Sequence, residues 1–271
     1  MTLHPGGIGA GRRSDPAPAV NMISNARAQV VDTGIPAGPF LRTPTAGPEL
    51  ELVYRYLAKP LGVSNADWAQ VAFVEPRIES GFPDIVLVQW DTHVTRHWPK
   101  ERISLSTADI RLLHTFYQFS NCSLAPPSIR GRKQLEAIER LAAADVLTYQ
   151  NGDVRLRPLY EIFAVRRLIS IEAKVTDMRS GLEQAIRNTW FASESYLLTP
   201  QLPRSTDVIK DAARFGIGLI TIDMSPDVTP IPARCETLPK SYVSWQFNEW
   251  AWRSSLTGLQ GAGDCLPRGL A

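Results

Sequence analysis

Glu172 and Lys174 stand two residues apart inside the apolar stretch Leu168-Ile169-Ser170-Ile171-Glu172-Ala173-Lys174-Val175. Side chains alternate along a strand, so Ile171, Ala173 and Val175 point one way while Glu172 and Lys174 share the other face. Charge on a core strand is costly unless it is paired or coordinates something. The pair is therefore either a structural ion pair or a metal site with an ammonium beside it. A second acid, Asp84, interrupts another apolar run, Phe82-Pro83-Asp84-Ile85-Val86-Leu87-Val88-Gln89-Trp90. Proline has no N–H to give to a ladder, which confines Pro83 to the start of that strand. Asp84 shares a face with Val86 and Val88 and needs a partner there. Glu51 and Glu79 are candidate additional acids. Glu49 and Glu51 also suit the first turn of a helix, where carboxylates complement the dipole. His93, His97 and His114 form no metal-ligand pattern, and a histidine of that kind is usually solvated.

The elements that must position these residues are legible from periodicity and punctuation. A helix starts near Pro48, carries Leu50, Val53, Tyr54, Tyr56 and Leu57, and ends before Gly62. Ala69 to Val74 reads as a strand, Ile78-Glu79-Ser80-Gly81 as a turn, and Phe82 to Trp90 as a strand buried on both faces. Ser106-Thr107-Ala108-Asp109 is a capping box opening a helix with Ile110, Leu113, Phe116 and Tyr117. After Pro126-Pro127 comes Arg130-Gly131-Arg132-Lys133, then a helix with Leu135, Ile138, Leu141 and Ala142. Asn151-Gly152 between Val146–Gln150 and Asp153–Arg157 is a hairpin signal. Helices followed by a hairpin resemble a winged helix, although no second helix is evident around Ala125 to Ile129. In that family Arg130, Arg132 and Lys133 would face DNA and Arg155 and Arg157 would lie on the wing. The alternative is a helical insertion without a nucleic-acid role. Beyond the Glu172 strand, a helix from Asp177 to about Glu194 precedes a short strand, Ser195 to Thr199. A further helix, about Thr206 to Arg214, precedes the strand Ile217 to Ile222. This alternation implies an α/β layer with a mixed or parallel sheet. Tyr242, Trp245, Phe247, Trp250 and Trp252 form an aromatic cluster expected to pack on the parent domain, with a homo-oligomer interface as runner-up.

Composition bounds the rest. The chain has 271 residues, 44% of them hydrophobic, enough for a sizeable core. A formal net charge of +2 neither demands nor excludes nucleic acid, so any basic surface must be local. Three scattered cysteines, with no Cys-x-x-Cys spacing, argue against a disulfide framework and a structural zinc site. No apolar run is long enough to span a bilayer and no signal-peptide core opens the chain. These features predict a soluble cytoplasmic protein with no membrane partner.

Pro83-Asp84 followed by Glu172-Ala173-Lys174 resembles the PD-(D/E)xK nuclease superfamily over roughly Pro48 to Asp223. The resemblance implies an α/β restriction-endonuclease-like mixed sheet flanked by helices. It also requires an inserted winged-helix-like module, because the gap between Asp84 and Glu172 exceeds that of compact members. It implies that Asp84 and Glu172 bind Mg²⁺ or Mn²⁺ and that Lys174 positions or deprotonates the attacking water. Gln184 stands where the following helix often carries a glutamine near the site. A further acid comes from the first helix in several members, which favours Glu51. The expected layout is an N-terminal extension at 1–47, core at 48–103, inserted module at 104–157, core at 158–224 and a Pro-rich, aromatic tail at 225–271. The reading is a magnesium-dependent deoxyribonuclease whose module contributes DNA binding, with RNA open as substrate. Its rival is a non-catalytic DNA-binding or protein-interaction chain on the same scaffold. A structural coincidence, with ion pairs in an unrelated α/β protein, is the third.

Overall fold

A strand order in which consecutive strands are separated by a long excursion governs this molecule. The structure, a computed structural model, describes residues 29–30, 38–59, 65, 67–121, 131–222 and 231–256. The elements are β1 (Gln29–Val30), α1 (Pro48–Leu57), β2 (Trp68–Val74), β3 (Ile85–Asp91) and the single turn α2 (Thr92–Thr95). A 3-10 turn at Lys100–Ser104 leads to α3 (Thr107–Asn121), α4 (Arg132–Ala143), the hairpin β4 (Leu147–Gln150) and β5 (Asp153–Leu156), and α5 (Leu159–Ile162). Then come β6 (Val165–Ala173), α6 (Met178–Asn188), β7 (Glu194–Thr199), α7 (Thr206–Phe215), β8 (Gly218–Thr221) and α8 (Tyr242–Leu256).

The main sheet runs β1-β2-β3-β6-β7-β8. β2, β3 and β6 are successively antiparallel, whereas β6, β7 and β8 are parallel. The chain leaves β3, builds everything from α2 to α5, and returns as β6 beside the strand it left. β3 and β7 are buried almost throughout, as strands covered on both faces must be. The molecule is thus mixed α/β, with helices on both faces of a mixed sheet. Antiparallel neighbours need only a hairpin or a return, but each parallel step needs a crossover; α6 and α7 supply those from β6 to β8, and α1 lies between the parallel pair β1 and β2.

One sheet face carries Ile85, Leu87, Ile169, Ile171 and Ala173 under the apolar stripe of α1, Leu52, Val53, Tyr56 and Leu57. The opposite face carries Phe73, Val86, Val88 and Leu168. These pack in one cluster with Leu113 and Phe116 of α3, Ile138 and Leu141 of α4, and Trp245, Phe247 and Trp250 of α8. Further along that face, Leu182 and Ala185 of α6 and Val208 and Ala212 of α7 cover Leu197 and Leu219. The segment between β3 and β6 therefore has no core of its own but shares the sheet's.

Several local expectations hold in detail. Ser106 and Asp109 form the reciprocal cap: Asp109 Oδ2 accepts from the Ser106 N–H at 2.9 Å and the Asp109 N–H donates to Ser106 Oγ at 3.3 Å. Asn151 and Gly152 both take positive φ, 53° and 86°, as a two-residue hairpin turn with right-handed strand twist requires. Other expectations change. The helix predicted to reach Glu194 ends at Asn188, because Glu194 pairs with Ile169 as the first residue of β7. Tyr242 to Leu256, predicted as an aromatic tail segment, is a helix buried nearly all round. It is tied down by a buried polar network. Arg102 and Glu249, 0% and 1% exposed at their side chains, pair at 2.8 Å, with the guanidinium also stacked on Trp98. Asn248 Oδ1 accepts from the N–H groups of Ala164 and Val165, where the chain enters β6. Cys122, Cys265 and the Ala125–Ile129 segment lie outside the described residues. Among the described residues no helix is long and apolar enough to cross a membrane.

Candidate active site

The β3–β6 register pairs Val86 with Ser170 and Ile85 with Ile171. One further step in the same antiparallel sense sets Asp84 against Glu172, so two acids distant in sequence meet at one end of neighbouring strands. Asp84 is held from both sides. Its Oδ2 accepts from the Ala173 N–H at 2.7 Å, and its carbonyl accepts from the Glu75 N–H at 3.0 Å. Pro83, which has no N–H to place, fits the break just before the ladder.

Glu172 is 5% exposed and its Oε1 accepts from Asn188 Nδ2 at 2.6 Å. Burial pushes this carboxyl up to about 8, and the charge of Asp84 adds to the rise. The Asn188 hydrogen bond and the charges of Lys174 and Arg187 oppose it. Asp84 is raised as well, chiefly by burial, with the Ala173 N–H and Lys174 opposing and Glu49 and Glu75 reinforcing. Two buried carboxyls, both raised and one of them partly by the other's charge, cannot both ionise cheaply, and a cation between them would relieve both.

Lys174 lies just past the end of β6, yet its N–H still donates to the Leu198 carbonyl at 2.9 Å. Its side chain runs across Gly181 of α6, so closely that a Cβ there would stand 2.3 Å from Lys174 Cγ. The ammonium reaches Glu49 Oε2 at 3.1 Å, in the first turn of α1. Gly181, Gln184 and Asn188 fall three and four residues apart and so share one face of α6. Gly181 admits the lysine stem and Asn188 holds Glu172. Gln184 Oε1 is buried with no hydrogen-bond partner among the described residues.

Among the described residues no three His, Cys, Asp or Glu side chains group so as to hold a metal ion. Magnesium, however, is commonly held by one or two carboxylates together with waters and substrate phosphates. Asp84 Oδ1 and Glu172 Oε2 have no hydrogen-bond partner among the described residues, the other oxygen of each being engaged. Two free carboxylate oxygens on adjacent strands, with proton affinities already raised, fit such an ion.

The other expected site residues fall elsewhere. Glu51 is exposed and makes no contact with the site; Glu49, two positions earlier and so on a different side of the helix, occupies the place expected of it. Glu79 pairs with Arg111 and accepts from the Tyr242 hydroxyl, away from the acids. Arg130 lies outside the described residues. Arg132 is highly exposed and pairs with Glu136 one turn on; Lys133 is exposed; Arg155 is exposed beside Asp153. Arg157 does not lie on the wing's outer face. It is held between Asp145 and Glu161, fastening the base of the hairpin to α5. His93 and His97 line a separate cavity of about 300 Å³ with Trp98, Tyr160 and Glu161. Sequence reasoning missed Asn188 and the site role of Glu49. The spacing of Asn188 from Gln184 was the only signal for the first, and none distinguished Glu49 from Glu51. Comparison of the chain with models of protein families, with curated proteins and with solved structures gives no match.

Proposed function

We propose that this chain is a metal-dependent nuclease hydrolysing phosphodiester bonds in DNA, on a sheet of the PD-(D/E)xK type. The observation that carries the reading is the meeting of Asp84, Glu172 and Lys174 at the ends of neighbouring strands, across the long excursion between β3 and β6. The sheet supports it too, being an antiparallel run of β2, β3 and β6 continued by parallel β7 and β8.

Asp84 and Glu172 would hold Mg²⁺ or Mn²⁺, which supplies Lewis-acid polarisation of the scissile phosphate and a water of lowered pKa. The chain's own residues do the positioning. The Ala173 N–H fixes the Asp84 carboxylate and Asn188 fixes that of Glu172, leaving one oxygen of each free. Glu49 holds the Lys174 ammonium at the edge of the acid pair. There it adds positive charge where the pentavalent transition state gathers negative charge. Gln184 brings an unengaged amide oxygen to the same helix face. Arg132, Lys133 and Arg155 are the exposed cations by which the α3–β5 segment contacts the DNA backbone.

Purified protein is to be incubated with linear duplex, single-stranded and branched DNA and with RNA, in Mg²⁺, Mn²⁺ or EDTA. Cleavage of DNA with metal and none in EDTA is expected. Asp84→Asn, Glu172→Gln and Lys174→Ala should each lower the rate by roughly 10²–10³ while circular dichroism stays close to wild type and the loss of rate is not accompanied by a lost fold. A wild type that cleaves none of these substrates, or variants that cleave as fast as it does, would overturn the reading. Salt-sensitive DNA binding that survives Glu172→Gln, without any cleavage, would favour the non-catalytic alternative.

A further inference from the structure

The segment ahead of α1 is stitched to the turn that follows β2. Leu41 and Pro76 form an antiparallel bridge, the Arg42 N–H donates to the Glu75 carbonyl at 3.2 Å, and the Arg77 N–H donates to the Phe40 carbonyl at 2.8 Å. Glu75 is buried and takes φ 47°, a left-handed conformation that is costly for a residue with a side chain. That conformation lets its N–H bond the Asp84 carbonyl while its carboxylate accepts from Arg42 Nε. The Arg42 guanidinium also lies over Phe82, 4.9 Å from the ring centroid. It is therefore pinned at one edge and one face. Its side chain is nonetheless 50% exposed, and its two terminal amino groups have no hydrogen-bond partner among the described residues.

We propose that Arg42 binds a backbone phosphate of the nucleic acid beside the one at the acid pair. The inference rests on the nuclease reading above. Carboxylates outnumber cations at this place: Glu49, Glu75, Asp84 and Glu172 stand among Lys174, Arg187 and Arg42, and Lys174 is already engaged by Glu49. A polyanionic substrate passing four carboxylates needs more than the metal to hold it. A planar guanidinium with both terminal groups open matches phosphate in bidentate fashion, and its anchoring to Glu75 and Phe82 reduces the entropy lost on binding. The linkage is also short: Arg42 pairs with Glu75, Glu75 bonds the backbone of Asp84, and Asp84 stands against Glu172. Substrate phosphate at Arg42 is thus referenced to the acid pair through one residue.

The test compares wild type, Arg42→Ala, Arg42→Lys and Arg42→Gln in DNA cleavage with Mg²⁺ and in DNA binding with Ca²⁺ across a salt series. Arg42→Ala should raise KM at least about tenfold, with a smaller effect on kcat. It should also reduce the slope of log affinity against log salt by about one phosphate contact. Added guanidinium ion should restore part of the lost activity in Arg42→Ala and none in wild type, and Arg42→Lys should fall between the two. If Arg42→Ala melts early, Arg42→Gln carries the same comparison, since it keeps a stem on Phe82 and a donor toward Glu75. A fall in melting temperature with KM, salt slope and guanidinium response unchanged would make Arg42 a structural ion pair and overturn the inference while wild-type cleavage keeps the nuclease reading intact. A wild type that does not cleave overturns both.

Discussion

Folding and chemistry make opposite demands on Glu172. The fold prefers it neutral, because it is buried beside another carboxyl; the metal binding proposed above would require it ionised. The sign of the resulting pH dependence follows. A carboxyl with a folded pKa near 8 binds more protons folded than unfolded between its ordinary value and about 8, so stability falls as pH rises through that window. The loss is at most about 1.4 kcal/mol per pH unit from this group. In EDTA, Glu172→Gln should therefore match wild type at mildly acidic pH and be the more stable of the two at alkaline pH, as read by urea unfolding. Parallel curves for the two proteins would show that Glu172 is not held neutral by the fold. At this scale the sequence was informative wherever strand parity decides. Alternation put Glu172 and Lys174 on one face, and Asp84 with Val86 and Val88, and the structure places all three accordingly. It was uninformative wherever a helix's rotation decides. Glu49 and Glu51 differ by two positions, and only the packing of Leu52, Val53, Tyr56 and Leu57 on the sheet determines which of them reaches Lys174.

Among the elements, α6 has most influence on the site. It supplies the crossover between β6 and β7 and presents Gly181, Gln184 and Asn188 to it. Gly181 is a helical residue whose replacement by alanine would ordinarily gain about 1 kcal/mol of helix propensity. Here the new methyl would stand 2.3 Å from Lys174 Cγ and 3.3 Å from Lys174 Cβ, both near the fixed end of that side chain, and 2.7 Å from Leu197 Cδ1, a terminal methyl of a fully buried residue. Overpacking of this kind costs about 1–3 kcal/mol and should outweigh the propensity. Gly181→Ala is thus expected to lower the melting temperature and, by displacing the lysine stem, to cut the cleavage rate more than it cuts stability. A variant as stable and as active as wild type would mean that the stem can move freely. The existence of α6 was legible from its apolar spacing, but its end was not, since pairing of Glu194 with Ile169 is a long-range event that local periodicity does not record. For α8 the failure has a different cause. A helix buried on nearly every side has no polar face, and so loses the amphipathic period by which helices are recognised.

For the molecule as a whole, the shared core has the greatest consequence. The α/β class was legible in the alternation of strands and helices. The way α3, α4 and α8 join the sheet in one cluster was not, because it depends on which faces meet. Trp245 sits at the centre of that cluster, fully buried and in edge contact with Tyr117 of α3 and Phe163 at the entry to β6. Trp245→Ala should cost about 3–5 kcal/mol. Unfolding should still be one transition, coincident by circular dichroism and fluorescence. Two separate transitions would show that the segment between β3 and β6 melts as a unit of its own. The position of α8 also bears on how the protein is made. The ribosome releases the chain in order, so the sheet and the excursion emerge before the helix that covers them. Until α8 arrives, Phe73, Phe191 and Phe163 lack their lid and Arg102 lacks its counter-charge. A nascent chain stalled short of α8 would display a broad greasy face around a lone cation, a natural client for holdase chaperones and a seed for aggregation.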